Sequence, residues 1–260
     1  MFRLSREVRF AVNDNDADQL SAGPTNSFGG FPSLTGLGHY FSLDATVAGH
    51  PDPETGCVLN IKEIDQMIRQ RGIPLTADYL RSGRRDPADL LRQLFQTLQH
   101  AWPGSELQSL RLRLTPFLSF QLFAREHPMV RLSQKFEFSA SHRLHNPKLT
   151  DEQNRALFGK CNNPHGHGHN YVLEVTLAGP AAGQLQIPAF ERIVSTAVID
   201  PFDHKNLNVE VSQFRELIPS VENIAMVIYK ILKSPLEKAG AKLAAVTAWE
   251  TSKTWCEYSE

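Results

Sequence analysis

The strongest constraint on this chain is that it contains itself twice. The stretch GHYFSLDATVAG at 38–49 lies over GHNYVLEVTLAG at 168–179, with six of twelve positions identical and an offset of 130 residues. Asp44 over Glu174 and Phe41 over Tyr171 are close substitutions. Arg3-Leu4-Ser5 likewise lies over Arg131-Leu132-Ser133, with a two-residue slip. Same order at the same distance argues for two copies of one unit, so whatever folds one half folds the other. The polar stretch Glu126-His127-Pro128 marks the boundary, giving units at 1–127 and 128–260.

Each unit reads in the same order. In the second, 131–142 alternates, with Phe136, Phe138, Ala140 and His142 on one face, which predicts a strand. A long polar connection follows over about 143–164. Alternation resumes over 165–177, where Tyr171, Leu173, Val175 and Leu177 share the histidine face. Helices are predicted at 188–199 and from Ser220 to about Leu232, where a Ser N-cap and Glu222 in the first turn suit a helix start. Strands at 242–250 and 253–258 close the unit. The first unit repeats this with strands near 3–12, 38–48, 106–114 and 117–124. Its helices fall near 60–71 and 87–99, the latter capped by Asp86 with Pro87 at its first position. The pattern is ββααββ twice: antiparallel sheets with helices on one face, an α+β class.

Composition excludes some functions. Of 260 residues, 41% are hydrophobic and 21% charged, which suits packed cores. A net charge of −1 argues against nucleic acid as a partner. No apolar run approaches the ~20 residues of a membrane span, and the opening MFRLSREVRF is too polar for a signal peptide. Three cysteines, Cys57, Cys161 and Cys256, make no disulfide framework, so a reducing, cytoplasmic setting is expected.

The chemistry concentrates in CNNPHGHGHNY at 161–171. In an extended segment His165, His167 and His169 all point the same way. If this strand pairs antiparallel with 131–142, the connection starts at His142 and returns near His167, bringing those ends together. His142 then converges with two histidines spaced i and i+2. Three neutral imidazoles with one open position form a catalytic zinc set. Strand phase alone does not say which pair joins His142. The intervening glycines let a ligand approach. Cys161 reads as a metal ligand, an inert buried thiol or a reactive thiol; a three-histidine site does not require it, and Lys160 and a metal would favour thiolate, so a proton-moving role is preferred. Asp203-His204 in PFDHKNLN is either a polar turn or a relay pair. Glu250, ending the apolar run AAVTAWE, is either a solvated strand end or a carboxylate for paired N–H donors of a flat heterocycle.

Taken together, FSASHRL, FGKCNNPHGHGHNY, DHKNLN, SVENIA and WET resemble the 6-pyruvoyl-tetrahydropterin synthase and 6-carboxytetrahydropterin synthase family, over most of 131–258. The resemblance implies a tunnelling fold, whose units associate into an oligomeric barrel with helices outside and active sites between subunits. It implies Zn2+ on His142, His167 and His169, with HGHNY setting that register and His165 left as a loop residue. It implies Cys161 as catalytic base, with Asp203 and His204 relaying, and Glu250, Glu222 and Ser220 holding a pterin; Val221 departs from the family's usual Thr or Ser. The implied reaction is triphosphate elimination from 7,8-dihydroneopterin triphosphate. The alternative is the carboxy-pterin reaction of the queuosine route, whose cysteine stands four residues before the first ligand rather than six. Cys161 stands four before His165 and six before His167, and KCNNP with HGHNY favours six. A non-catalytic pterin- or metal-binding protein is a further reading. Arg143, Lys160 and Lys205 are candidates to meet the polyphosphate. The first unit lacks the set: Asp14 stands near the His142 position, Leu37 at His167, Phe31 near Cys161 and Leu114 at Glu250, and only His39 survives, opposite His169. It is expected to be a catalytically silent copy.

Overall fold

A computed structural model describes residues 1–13, 28–179 and 186–260. Asp14 lies outside the described residues. The chain divides into two compact units, Met1–Leu132 and Ser133–Glu260.

In the first unit, β1 (Phe2–Val12), β2 (His39–Gly49), β3 (Ser105–Arg113) and β4 (Leu118–Phe123) form an antiparallel meander in chain order. Alternation decides the faces. Val8, Phe10, Phe41, Leu43 and Leu110 are buried, while Glu7, Arg9 and Arg113 on the other face form ion pairs. Three helices follow β2: α1 (Ile61–Met67), α2 (Ile73–Arg81) and α3 (Pro87–Leu98). The first helical region runs past the expected end at 71. A π turn over Ile68–Gly72 joins α1 to α2, and Pro74 falls in the first turn of α2, where its missing N–H is tolerated. Asp86 accepts from the Ala88 N–H and caps α3.

In the second unit, β5 (Val130–His142) neighbours β6 (His167–Ala178), followed by β8 (Lys242–Thr251) and β9 (Thr254–Tyr258). A two-residue strand, β7 (Lys205–Asn206), runs parallel to β5 at Ala140 and Ser141. Helices α4 (Asp151–Phe158), α5 (Ile187–Val194) and α6 (Val221–Lys238) belong to it, with single helical turns at Asp200–Phe202 and Leu207–Glu210. On α6, Ile224, Ile228, Leu232 and Leu236 recur on one face and are fully buried. At ~1.5–3 kcal/mol each, their burial contributes on the order of 6–12 kcal/mol as an upper bound. That exceeds the ~3 kcal/mol cost of Pro235 inside the helix. Packing of Leu236 thus carries α6 to Lys238, past the expected end near Leu232.

Two further expectations are corrected. The 143–164 connection contains α4, because Thr150 and Gln153 form a reciprocal capping box. And β6 begins at His167, not His165, because Gly166 at φ +73 breaks the extended run. A side chain there would meet the His142 carbonyl oxygen at 3.0 Å, so glycine is required.

The two units share local devices. Ser5 Oγ lies 2.8 Å from Thr46 Oγ1, and Ser133 Oγ lies 2.9 Å from Thr176 Oγ1. The pairing register slips between Thr46 and Val47 in the first unit and between Thr176 and Leu177 in the second. No helix among the described residues is long and apolar enough to cross a membrane.

Candidate functional site

The site grows from strand ends. Alternation on β5 carries Phe138 and Ala140 into the core and ends on His142, which is fully buried. On β6 the same phase presents His167, His169 and Tyr171. One ring nitrogen from each of His142, His167 and His169 lies within 4.8 Å of the others, and His165 stands outside on an exposed turn.

The protonation pattern follows from the hydrogen bonds. His142 Nδ1 lies 2.7 Å from the Pro219 carbonyl oxygen, an acceptor, so Nδ1 carries the hydrogen. That leaves a lone pair on Nε2, which faces His167 Nε2 at 3.1 Å and Glu250 Oε1 at 3.2 Å. Glu250 Oε1 also lies 3.6 Å from His169 Nε2. Buried His169 Nε2 and His167 Nδ1 have no hydrogen-bond partner. Burial holds His142 below the usual imidazole range, against the Pro219 bond, and holds His169 below it too. Three imidazole nitrogens gathered this closely, with His169 Nε2 buried and without a hydrogen-bond partner, suit a cation, and the carbonyl-oriented imidazole is the arrangement metal-ligating histidines use. The donor set, three imidazoles with a carboxylate beside them, fits zinc.

Tyr171 fills the floor. Its ring stacks on Phe138 at 5.0 Å and its hydroxyl lies 3.4 Å from His142 Nδ1. Burial pushes its phenol well above the ordinary range, and Glu250 and Cys161 add to this. Cys161 is half-buried on a short turn, Gly159–Asn162. Its carbonyl accepts from the Leu144 N–H at 2.9 Å. Arg143 Nε donates to Asn162 O and Oδ1, both at 3.2 Å, and His145 Nδ1 lies 3.1 Å from that Oδ1. The turn that carries Cys161 is therefore held by the residues that directly follow His142. Fully buried Asn154 ties the rest of the connection together, accepting from the Asn146 N–H and donating to carbonyls of Asn146, Leu149 and Thr150.

The other expected residues are placed differently. Asp203 accepts from the Ser139 N–H at 2.7 Å, and His204 Nδ1 lies 2.8 Å from its other oxygen. The Ser139 bond, then His204, holds the Asp203 carboxyl below the usual range. His204 has a left-handed backbone, φ 57, and a side chain that is 82% exposed. Its hydrogen bonds go to Asp203 and Ser139, not to Cys161 or the three histidines. Ser220 caps α6 through the Asn223 N–H. Glu222 is exposed in the first turn, where its charge, after burial, raises the Cys256 thiol. Sequence reasoning missed the Pro219 carbonyl and Asn154; the SVEN helix start was the signal that pointed near Pro219. In the first unit His39 lines a cavity of about 760 Å³ with Glu7 and Arg113, and no three-ligand group forms among the described residues.

The unit is α+β, and its strand ends bring three imidazole nitrogens together as a group that could hold a metal ion. Residues 131–260 match the family model of 6-pyruvoyl tetrahydropterin synthase. The human 6-pyruvoyl tetrahydrobiopterin synthase is 43% identical over 110 residues, covering 41% of this chain and 76% of the human protein. The Drosophila melanogaster protein of that name is 38% identical over 137 residues, 51% of this chain and 81% of its own length. The solved Caenorhabditis elegans 6-pyruvoyl tetrahydropterin synthase is 38% identical, covers 51% of this chain and 96% of that chain, and aligns with a TM-score of 0.48. The chain belongs to the 6-pyruvoyl tetrahydropterin synthase family, and it is a lyase of that kind.

Proposed function

We propose that the second unit, 128–260, is a zinc-dependent synthase acting on 7,8-dihydroneopterin triphosphate with loss of triphosphate. The observation that carries this reading is the convergence of His142, His167 and His169 with two buried ring nitrogens left unpartnered. Zinc bound there would supply Lewis-acid polarisation of the substrate's side-chain oxygens. Glu250 takes the pterin's paired N–H groups, which draws it off the imidazoles; Glu222 and Ser220 assist at the helix start. Cys161 Sγ removes the proton from the side-chain carbon, and buried Tyr171 keeps water from the reacting atoms. Asp203 holds Nδ1–H of His204, leaving Nε2 to accept and return that proton.

The exposed His204 ring suits a site completed by assembly, where the Asp203–His204 pair of one subunit meets Cys161 of a neighbouring subunit. A homo-oligomeric barrel in a cytoplasmic setting follows the family resemblance. Residues 1–127 are the silent copy, kept for assembly. The matched Ser–Thr pairs and register slips at Thr46 and Thr176 support common descent of the two units.

The test is incubation of metal-loaded protein with dihydroneopterin triphosphate, without a reductase, and identification of products. Pyruvoyl-tetrahydropterin with triphosphate is expected. Carboxy-tetrahydropterin with acetaldehyde would assign the alternative reaction, and no pterin product would overturn both. Cys161→Ala is expected to abolish turnover and retain the metal.

A further inference from the structure

The stretch DHKNLN at 203–208 supplies Asp203 and His204 to the proposed relay, while its last residue, Asn208, has no part in that reading. The structure lays the whole stretch along β5. Asp203 accepts from the Ser139 N–H at 2.7 Å, and the His204 N–H donates to the Ser139 carbonyl at 2.6 Å. Lys205 and Asn206 then pair with Ala140 and Ser141 as β7. Main-chain pairing stops there, because Asn206 caps the helical turn Leu207–Glu210 and the fully buried Leu207 anchors it.

Asn208 takes over where the main chain turns away. Its Oδ1 accepts from the Arg143 N–H at 2.7 Å, and its Nδ2 donates to the Arg143 carbonyl at 3.0 Å. A carboxamide offers a donor and an acceptor side by side, so it can stand in for the next residue of a pairing strand. The cap places it there. Asn206 Oδ1 accepts from the Asn208 N–H at 3.1 Å, and Glu210 accepts from the Asn206 N–H at 2.8 Å and from Lys205 Nζ at 3.2 Å. The segment therefore grips the chain at 139–141 and again at 143, on both sides of His142.

Arg143 is the joint between the imidazoles and the thiol. Its main chain directly follows His142, whose Nε2 lies 3.1 Å from His167 Nε2. Its Nε donates to Asn162 O and Oδ1, both at 3.2 Å, and the next N–H, of Leu144, donates to the Cys161 carbonyl at 2.9 Å. A shift of the Arg143 main chain is thus felt by the His142 ring and by the Cys161 turn together.

We propose that Asn208 is a positioning residue: by holding the Arg143 main chain it sets the His142 ring and the turn that carries Cys161. The inference rests, for the His142 ring, on reading the histidine cluster as a metal site.

The test loads the full-length chain with Co2+ in place of zinc, because the visible absorption of Co2+ reports the geometry of its ligands. Asn208→Asp is nearly isosteric; it removes only the donor and sets a carboxylate oxygen against the Arg143 carbonyl. Asn208→Ala removes both bonds. Both variants are expected to shift the cobalt bands and to weaken Co2+ binding about tenfold, the lower end for groups that orient a metal ligand from behind it. Asn154→Ala, which loosens residues 146–150, is the control for lost stability: it is expected to melt lower and to keep the wild-type bands. Wild-type bands and affinity in both Asn208 variants would overturn the assignment. So would an equal band shift in Asn154→Ala, which would trace the effect to stability alone. If the wild-type chain takes up no Co2+, the metal reading falls and Cys161 alkylation decides the role of Asn208. Faster alkylation in Asn208→Asp would uphold its hold on the turn, and the wild-type rate would overturn it.

Discussion

Replacing Asn154 by alanine separates the thiol from the metal site. Asn154 is fully buried, and its side chain bonds the Asn146 N–H at 2.8 Å and carbonyls of Asn146, Leu149 and Thr150 at 2.9, 3.1 and 3.0 Å. An amide has two N–H hydrogens, so about three bonds hold at once. At a net ~1 kcal/mol each, Asn154→Ala is expected to cost about 3 kcal/mol. At ~4 °C per kcal/mol for a unit of this size, the melting temperature should fall by about 12 °C. Because these bonds pin only the 146–150 segment, the strand-borne histidines stay in place. The expected signature is therefore a lower melting temperature, faster alkylation at Cys161 mapped by mass spectrometry, and an unchanged metal content. A cost below about 1 kcal/mol with an unchanged Cys161 alkylation rate would refute the argument that this buried amide holds the loop.

Further outcomes follow from other residues. His169→Ala should lose bound metal and His165→Ala should keep it, as read by metal analysis after dialysis; the reverse result would move the third ligand to the turn. Gly166→Ala should destabilise by about 1–3 kcal/mol in urea unfolding, since it forces a side chain to a positive φ against the His142 carbonyl. A neutral result would mean that the turn relaxes freely. Metal-free protein should lose stability as pH falls below about 6.5. His142 and His169 are held below their ordinary value by burial, so the unfolded chain takes up protons there that the folded chain refuses. Denaturation midpoints that rise on acidification through that window would contradict this sign.

Much of the site was legible in residue order because its geometry is periodic. A strand that buries Phe138 and Ala140 must bury His142 as well, and a strand that buries Tyr171 must turn His167 and His169 the same way. The Thr150–Gln153 capping letters alone do not announce α4, since eight residues with little apolar content carry a weak helical period. The extension of α6 past Pro235 was not legible, because it depends on what Leu236 packs against rather than on local preference.

By itself, then, the sequence determined the α+β alternation of both units and the face on which the histidines lie. Only the tertiary structure decided how those side chains are held. The Pro219 carbonyl that selects the His142 tautomer is a main-chain group, and no residue letter records where a carbonyl points. The approach of Glu250 to the imidazoles joins segments far apart in the chain. Local periodicity reaches only a few residues along the chain, whereas convergence of strand ends is set by sheet register and core packing. CNNPHGHGHNY thus offered three histidines in one phase, and the fold gathers His167 and His169 with His142 and leaves His165 outside, the register the family resemblance implied.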